Sequence, residues 1–366
     1  MSTGAVRVPF NVLRPGDDRE AIGAAIARVI DSGWFVLGPE VAAFEHEFAA
    51  AAGAGHAVGV NTGTDAIALA LRALGIGPGD EVITSPLSAA YTALAIDMAG
   101  ARPVFADVDA ERLTLDPAAV EAAITPRTRA LVPVHLYGQP ADMDRLGAIA
   151  ARHGLAVVED ACQAHLATHC GVPLGRGSAA AAYSFYPTKN LGALGDGGAI
   201  TTDDAALAER VKRLRNGGQT SRYHHGERGV NSRLDELQAA ILRAKLPGLP
   251  AATDARRRLA AEYRARLHTP AVQVPREFDA GHVYHLFPVL VADRDRFQAH
   301  MRDAGVETLI HYPVPIPRQP AAAAWTPAQC PIADRVCERV VSLPLYPSLS
   351  AESLAEVAAA VAAFSR

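Results

Sequence analysis

The stretch MDRLGAIAARHGLAVVED, residues 143–160, decides the fold. Met143 to His153 carries apolar side chains at helical spacing and is followed by Gly154, a residue that accepts the left-handed conformation in which helices commonly end. Ala156 to Glu159 is then a short β-branched run, and it stops on acids, Glu159 and Asp160. A helix feeding directly into a strand is the connecting half of a parallel β-α-β unit.

Working outward, the alternation recurs. Strands are predicted at His56 to Val60, Glu81 to Thr84, Pro103 to Asp107, Ala130 to His135 and Ala182 to Tyr186, with a helix from Asp65 to Leu74. Gly198 to Thr202 reads as a further strand, antiparallel because so little chain separates it from its predecessor. These elements define an α/β sheet buried on both faces. After Lys245 the run Leu246-Pro247-Gly248-Leu249-Pro250 breaks the texture. A helix from Ala252 to Leu267 follows, then strands (Tyr284 to Val291, Glu307 to Ile310) and helices (Arg294 to Ala304, Ala351 to Phe364). The division expected is a large α/β domain over 1–245 and a smaller α+β domain over 246–366. The first 35 or so residues, with a helix from Arg19 to Ser32, could pack with either.

Composition narrows the function. The 366 residues are 49% hydrophobic and 20% charged, with 35 basic against 39 acidic side chains, which excludes a disordered chain and speaks against a nucleic-acid binder. No run approaches the ~20 apolar residues of a membrane span and no leader pattern opens the chain, so a cytoplasmic, non-membrane protein is expected. Four cysteines make no disulfide framework. Cys162, His165, His169 and Cys170 crowd four potential ligands into nine residues, without the longer excursion between ligand pairs that zinc sites use; no metal is expected from that set.

Three segments carry chemistry. Val60-Asn61-Thr62-Gly63-Thr64-Asp65 is a strand end, a glycine turn and a helix start, where unpaired amides and the helix dipole suit a phosphate; a plain helix cap by Thr62 or Thr64 is the alternative. Asp160 ends a strand, on the edge where open α/β sheets place ligands, although such acids also serve as turn formers. Lys189 follows an apolar strand and Pro187, where partial desolvation would lower its pKa and favour Schiff-base chemistry; a solvated loop lysine is the alternative. Together they supply what pyridoxal phosphate (PLP) requires: an anchor, a partner for the pyridine nitrogen and an amine.

Ordered segments along almost the whole chain resemble the DegT/DnrJ sugar aminotransferases of the fold-type I PLP superfamily: SGWFVLGPE (32–40), NTGTDA (61–66), GDEVIT (79–84), VHLYG (134–138), EDACQAH (159–165), SFYPTK (184–189), GVNSRLDELQAA (229–240) and HYPVP (311–315). The resemblance implies a large domain built on a mostly parallel seven-stranded sheet. It makes Lys189 the Schiff-base lysine and Asp160 the pyridine-nitrogen partner, these two being the catalytic residues. Gln163 would lie near the phenolic oxygen, while Gly63, Thr64, the Asp65 backbone and Ser184 hold the phosphate. Asn231 would reach the cofactor phosphate of a neighbouring subunit, giving a homodimer with shared active sites. Tyr186, His311 and Tyr312 are candidate substrate contacts, with a strand residue making a satisfied hydrogen bond as the alternative for His311 and Tyr312, and Arg222 and Arg233 are candidates for a carboxylate or diphosphate, which a guanidinium fork matches. The reaction implied is ping-pong transfer of an amino group from L-glutamate to a keto sugar linked to a nucleotide, with C3 of a dTDP-3-keto-6-deoxyhexose favoured over a 4-keto sugar or a cyclitol ketone. A cofactor-binding regulator without turnover is the reading from another class. Lys189 speaks against the family's dehydratases, which carry His there.

Two positions depart from the family pattern. Ala89 stands where many relatives place an aromatic residue to stack on the pyridine ring, and Pro317-Arg318 replaces a histidine that often follows the His-Tyr-Pro motif. Both put the exact substrate in question more than the reaction.

Overall fold

Seven strands form the central sheet: β1 (His56–Val60), β2 (Glu81–Thr84), β3 (Arg102–Phe105), β4 (Thr128–Val132), β5 (Ala156–Asp160), β6 (Ala180–Ser184) and β7 (Gly198–Thr202). This computed structural model describes residues 6–325 and 328–364. The sheet order is β1-β7-β6-β5-β4-β2-β3. Strand β7 pairs antiparallel with both β1 and β6, while the other neighbours run parallel. The carboxyl ends of β1, β5 and β6 therefore lie along one edge, where open sheets bind ligands. Gly198 faces Val60 on one side and Ser184 on the other. A Cβ on Gly198 would lie 2.3 Å from the Thr62 carbonyl oxygen, so only glycine lets the turn after β1 fold back over β7.

In chain order the helices are α1 (Arg19–Ser32), α2 (Pro39–Ala51), α3 (Gly63–Ala73), α4 (Tyr91–Met98), α5 (Pro117–Ala123), α6 (Met143–His153), α7 (Ala205–Arg215), α8 (Glu236–Lys245), α9 (Leu249–Arg266), α10 (Arg294–Asp303), α11 (Pro331–Arg339) and α12 (Ala351–Ala363). The sequence of α3, GTDAIALALRA, is apolar nearly all round, and the helix is buried between the sheet and helices α4 and α7. One apolar cluster joins α3 to Val82, Val132, Val158 and Ile200 of the sheet; another packs Leu146 and Ile149 of α6 against Ile83, Leu131 and Val157. No helix among the described residues is long and apolar enough to cross a membrane.

A second, antiparallel sheet contains β8 (Val272–Gln273), β9 (Phe287–Val291) and β10 (Val340–Leu343). Its core joins Tyr263, Phe287, Phe297, Phe364 and Val8. Helix α9 begins in the core of the large sheet at Leu249 and ends in this second core at Ala260 and Tyr263. The N-terminal region divides likewise: Val8 bridges Val306, and α1 packs on α8 through Ala25, Val29 and Ala240.

Several predicted ends shift. Strand β4 stops at Val132 because Pro133 has no N–H for the ladder. Strand β6 starts at Ala180, opposite Val158 of β5, and ends at Ser184, before the turn that holds Lys189. Tyr284 has φ 46°, outside the extended region, so β9 begins only at Phe287. Glu307 to Ile310 is not a strand; its Leu309 makes one isolated bridge to Ser342 of β10. Strand β10 follows α11 with no intervening turn, which hides it from periodicity.

Candidate active site

At the β1/β5/β6 edge lies a cavity of about 610 Å³ whose lining includes Gly63, Thr64, Asp160, Gln163, Ser184, Tyr186, Lys189, His311 and Tyr312. One end of the cavity is built by the start of α3. Thr62 caps the helix, its Oγ1 accepting from the Asp65 N–H at 3.0 Å, and the Ala66 N–H takes the Thr62 carbonyl. The first-turn amides of Gly63 and Thr64 have no carbonyl one turn back within the helix, so they are its free anion donors. A Cβ on Gly63 would lie 2.7 Å from both the Cys162 Sγ and the Ser184 Cβ, which fixes how closely the helix start abuts the ends of β5 and β6.

Successive side chains on a strand point to opposite faces, and the two acids ending β5 separate accordingly. Glu159 turns away and joins a buried network, accepting from Ser178 Oγ at 2.6 Å and from His135 Nε2 at 2.9 Å. Asp160 enters the cavity, only 5% exposed. Its Oδ2 accepts from Thr92 Oγ1 at 2.7 Å and its Oδ1 from the Cys162 N–H at 3.1 Å. These donors fix the orientation of the carboxylate.

Lys189 sits in the turn after β6, with its N–H donating to the Tyr186 carbonyl at 2.8 Å. Burial draws its ammonium pKa down, against the opposing pull of Cys162 and Asp160. Burial and the Lys189 charge likewise hold nearby imidazoles neutral: His165 is lowered to about 3, His311 to about 4, and His285 well below its ordinary value. The Ser184 carbonyl can only accept, so His165 Nε2 carries the proton it shares there at 2.8 Å. Gln163 is fully engaged: its Oε1 accepts from the Tyr137 N–H at 2.8 Å and its Nε2 donates to Tyr312 Oη at 3.0 Å. Tyr137 Oη in turn donates to the His311 carbonyl, tying the His311-Tyr312 segment to the end of the large sheet.

Five predicted positions lie away from this wall or face outward. The Asp65 amide serves the Thr62 cap and its carboxylate accepts from Ser232 Oγ at 2.7 Å, so Asp65 does not line the cavity. Asn231 is exposed and bridges Asn216; Arg233 donates to Asn216 Oδ1 at 3.1 Å. Arg222 is exposed in the hairpin of Gln219–Ser221 and His224–His225, its guanidinium 5.1 Å from the Tyr223 ring. Tyr186 lines the mouth at 52% exposure. Arg318 pairs with Asp334 at 2.9 Å and stands outside the cavity, whereas Ala89 lines it.

The model of the DegT/DnrJ/EryC1/StrS aminotransferase family matches residues 17–362. The chain belongs to that family. Over 349 residues this aminotransferase is 50% identical to the dTDP-3-amino-3,4,6-trideoxy-alpha-D-glucose transaminase of Streptomyces venezuelae, a match covering 94% of the chain and 92% of that protein. The solved structure of S. venezuelae DesV in complex with a ketimine intermediate superimposes with a TM-score of 0.94 at 50% identity, covering 97% of each chain. The structure of NtdA from Bacillus subtilis with bound cofactor PMP superimposes at 0.91, with 32% identity, covering 98% of this chain and 86% of that one. The fold is accordingly that of the type I PLP aminotransferases, a family that depends on this cofactor.

The residues of this aminotransferase fit the cofactor. A helix N-terminus, the Ser184 hydroxyl, a buried acid and the Lys189 amine just after β6 line one cavity. Sequence reasoning missed Thr92, which holds Asp160, and His285, which lines the cavity and donates from Nδ1 to Asn190 Oδ1 at 3.2 Å. Thr92 follows the Ala89 departure closely, and only the placement of α4 reveals it.

Proposed function

We propose that the protein binds PLP through Lys189 and transfers an amino group from L-glutamate to the C3 ketone of a dTDP-linked 3-keto-6-deoxyhexose, as a homodimer. The observation that carries the reading is the convergence of Lys189, Asp160 and the α3 N-terminus on one cavity. PLP, when bound, supplies the electron sink that stabilises charge at the substrate Cα. The chain's residues do the rest. Asp160, fixed by Thr92 and the Cys162 amide, keeps the pyridine nitrogen protonated. Gly63, Thr64 and Ser184 bind the phosphate. Lys189, its pKa lowered by burial, has more of the free amine near neutral pH and so can take the proton from the substrate Cα and return it one atom away. Tyr91, Tyr186 and Tyr312 are the aromatic rings around the cofactor wall, in place of one at residue 89.

The sugar hydroxyls would meet Ser88, Thr188, Tyr312 and neutral His311. Arg222 and Arg233 would serve the diphosphate, and Asn231 the phosphate, of the partner's site, since none of the three lines its own chain's cavity. The S. venezuelae relative, whose product name carries a 3-amino group, supports C3 over C4.

A half-reaction tests this. The PLP-loaded protein should release one 2-oxoglutarate per site from glutamate with no sugar present, and should then aminate a dTDP-3-keto-6-deoxyhexose faster than a dTDP-4-keto sugar. Cofactor binding with no 2-oxoglutarate would mark a regulator; preference for the 4-keto sugar would move the substrate.

A further inference from the structure

Beyond the active site, one group of metal-ligating side chains has no part in the proposed chemistry. Asp144 stands in the first turn of α6; His169 and Cys170 stand at the tip of a hairpin formed by Thr168–His169 and Val172–Pro173. One ligand atom from each lies within 4.8 Å of the others. His169 Nε2 is 3.5 Å from Asp144 Oδ2 and 3.9 Å from Cys170 Sγ. Around a tetrahedral zinc with Zn–N and Zn–O near 2.1 Å and Zn–S near 2.3 Å, neighbouring ligand atoms sit roughly 3.3–3.7 Å apart. Side-chain rotations moving these atoms by about an ångström or less would bring all three to that spacing.

The other imidazole nitrogen supplies an independent observation. His169 is 9% exposed, and its Nδ1 is buried with no hydrogen-bond partner, yet it stands 3.2 Å from Asp279 Oδ2. Asp279 is itself fixed, accepting from the Gly281 N–H at 2.7 Å and the Cys170 N–H at 2.6 Å. Gly281 approaches the hairpin so closely that a Cβ there would lie 1.9 Å from the Thr168 carbonyl oxygen. A carboxylate behind a histidine whose far nitrogen faces other ligands is the arrangement that orients metal-binding imidazoles. Arg112, the cation acting on Cys170, is held elsewhere, by the Pro140 carbonyl and over the Phe278 ring. The group borders a surface cleft of about 540 Å³, which leaves room for a water as fourth ligand.

We infer that Asp144, His169 and Cys170 form a binding site for a borderline divalent cation of the zinc type, with Asp279 orienting the imidazole. One sulfur, one nitrogen and one oxygen select zinc or cobalt over magnesium or calcium, which take oxygen alone. The ion clips α6 to the hairpin and, through Asp279, to the segment that runs on to His285 in the active-site wall. The site stabilises that wall without entering the reaction. In sequence it is hidden, because Asp144 and Asp279 are remote from the Cys162 to Cys170 cluster, and the structure sends Cys162 and His165 to the cavity and the Ser184 carbonyl instead.

Cobalt(II) titration of the tag-free, metal-stripped full-length protein tests the site. Expected are one cobalt per chain, tetrahedral d–d bands and a thiolate-to-cobalt charge-transfer band that zinc abolishes. Cys170→Ser removes the charge-transfer band. Asp144→Ala, at a side chain 79% exposed and so without consequence for folding, keeps that band but weakens binding. Asp279→Asn weakens it about 10–100-fold. Difference spectra at equal cofactor loading separate these bands from PLP, and circular dichroism verifies each fold. No thiolate band in the wild type, or a band that survives Cys170→Ser, overturns the inference.

Discussion

The crevice at the carboxyl ends of β5 and β6 and the hairpin at residues 219–225 contrast in every physical respect. In the crevice, Asp160 has both oxygens occupied by donors, Gln163 has both ends engaged, and three imidazoles are held neutral beside half-buried Lys189. The hairpin is exposed, and among the described residues Arg222 meets only Tyr223. One region is organised by its own chain before any ligand arrives; the other offers exposed cations and rings held only by local contacts, Arg222 by Tyr223 and His225 by the Gly217 carbonyl. On the proposed reading the sheet edge carries the chemistry and the sugar contacts, while the exposed hairpin is left for the diphosphate of a partner's site.

The largest expected effect isolates the crevice. Lys189→Ala should lower transamination at least about 10³-fold with circular dichroism unchanged, because it removes both the cofactor tether and the proton carrier. Asp160→Ala should follow closely, with weakened PLP retention by equilibrium dialysis; wild-type turnover in either variant breaks the assignment. Mixing sharpens the other half of the comparison. If Asn231 serves the partner's site, Lys189→Ala and Asn231→Ala chains, each poorly active alone, should regain partial activity when refolded together, since one site of each mixed dimer has both residues. Failure to complement would place Asn231 within its own chain's function.

Smaller effects probe how the crevice is organised. Thr92→Val keeps shape and removes the hydroxyl on Asp160; losing a hydrogen bond to a charged group, about 1.5–3 kcal/mol, should reduce turnover on the order of tenfold or more with little change in melting temperature. An unaltered rate would show the Cys162 amide to be sufficient. The smallest effect is on pH. His165 and His282 are lowered to about 3 and His311 to about 4, each chiefly by burial, whereas in the unfolded chain imidazoles titrate near 6.5. The unfolded state therefore binds more protons below that value, so stability should be fully present above pH 6.5 and fall as the pH drops toward 4. Urea unfolding at pH 7.5 and pH 5 reads the slope; equal midpoints would mean these rings are solvated.

Much of the large sheet was legible because its strands are apolar and its helices end in glycines, as at Gly154 after α6. Strand β10 was not, since Val340 follows α11 without a turn, and the small sheet's β8 is only two residues long. Asp160 and Lys189 stand out in the sequence as an acid ending a strand and a lysine just after one, whereas the expectation for Ser184 comes from the family resemblance. Thr92, His285 and Asp144 could not be named, because their roles arise from partners 68, 95 and about 25 residues away. Long-range pairing of that kind leaves no local pattern in the chain.

The central claim is that a single amine, Lys189, holds the cofactor. Borohydride reduction of the PLP-loaded protein followed by peptide mapping tests it most directly. The account predicts one reduced pyridoxyl group per chain, on the peptide containing Lys189; label on Lys212 or Lys245, or on no lysine at all, would contradict it.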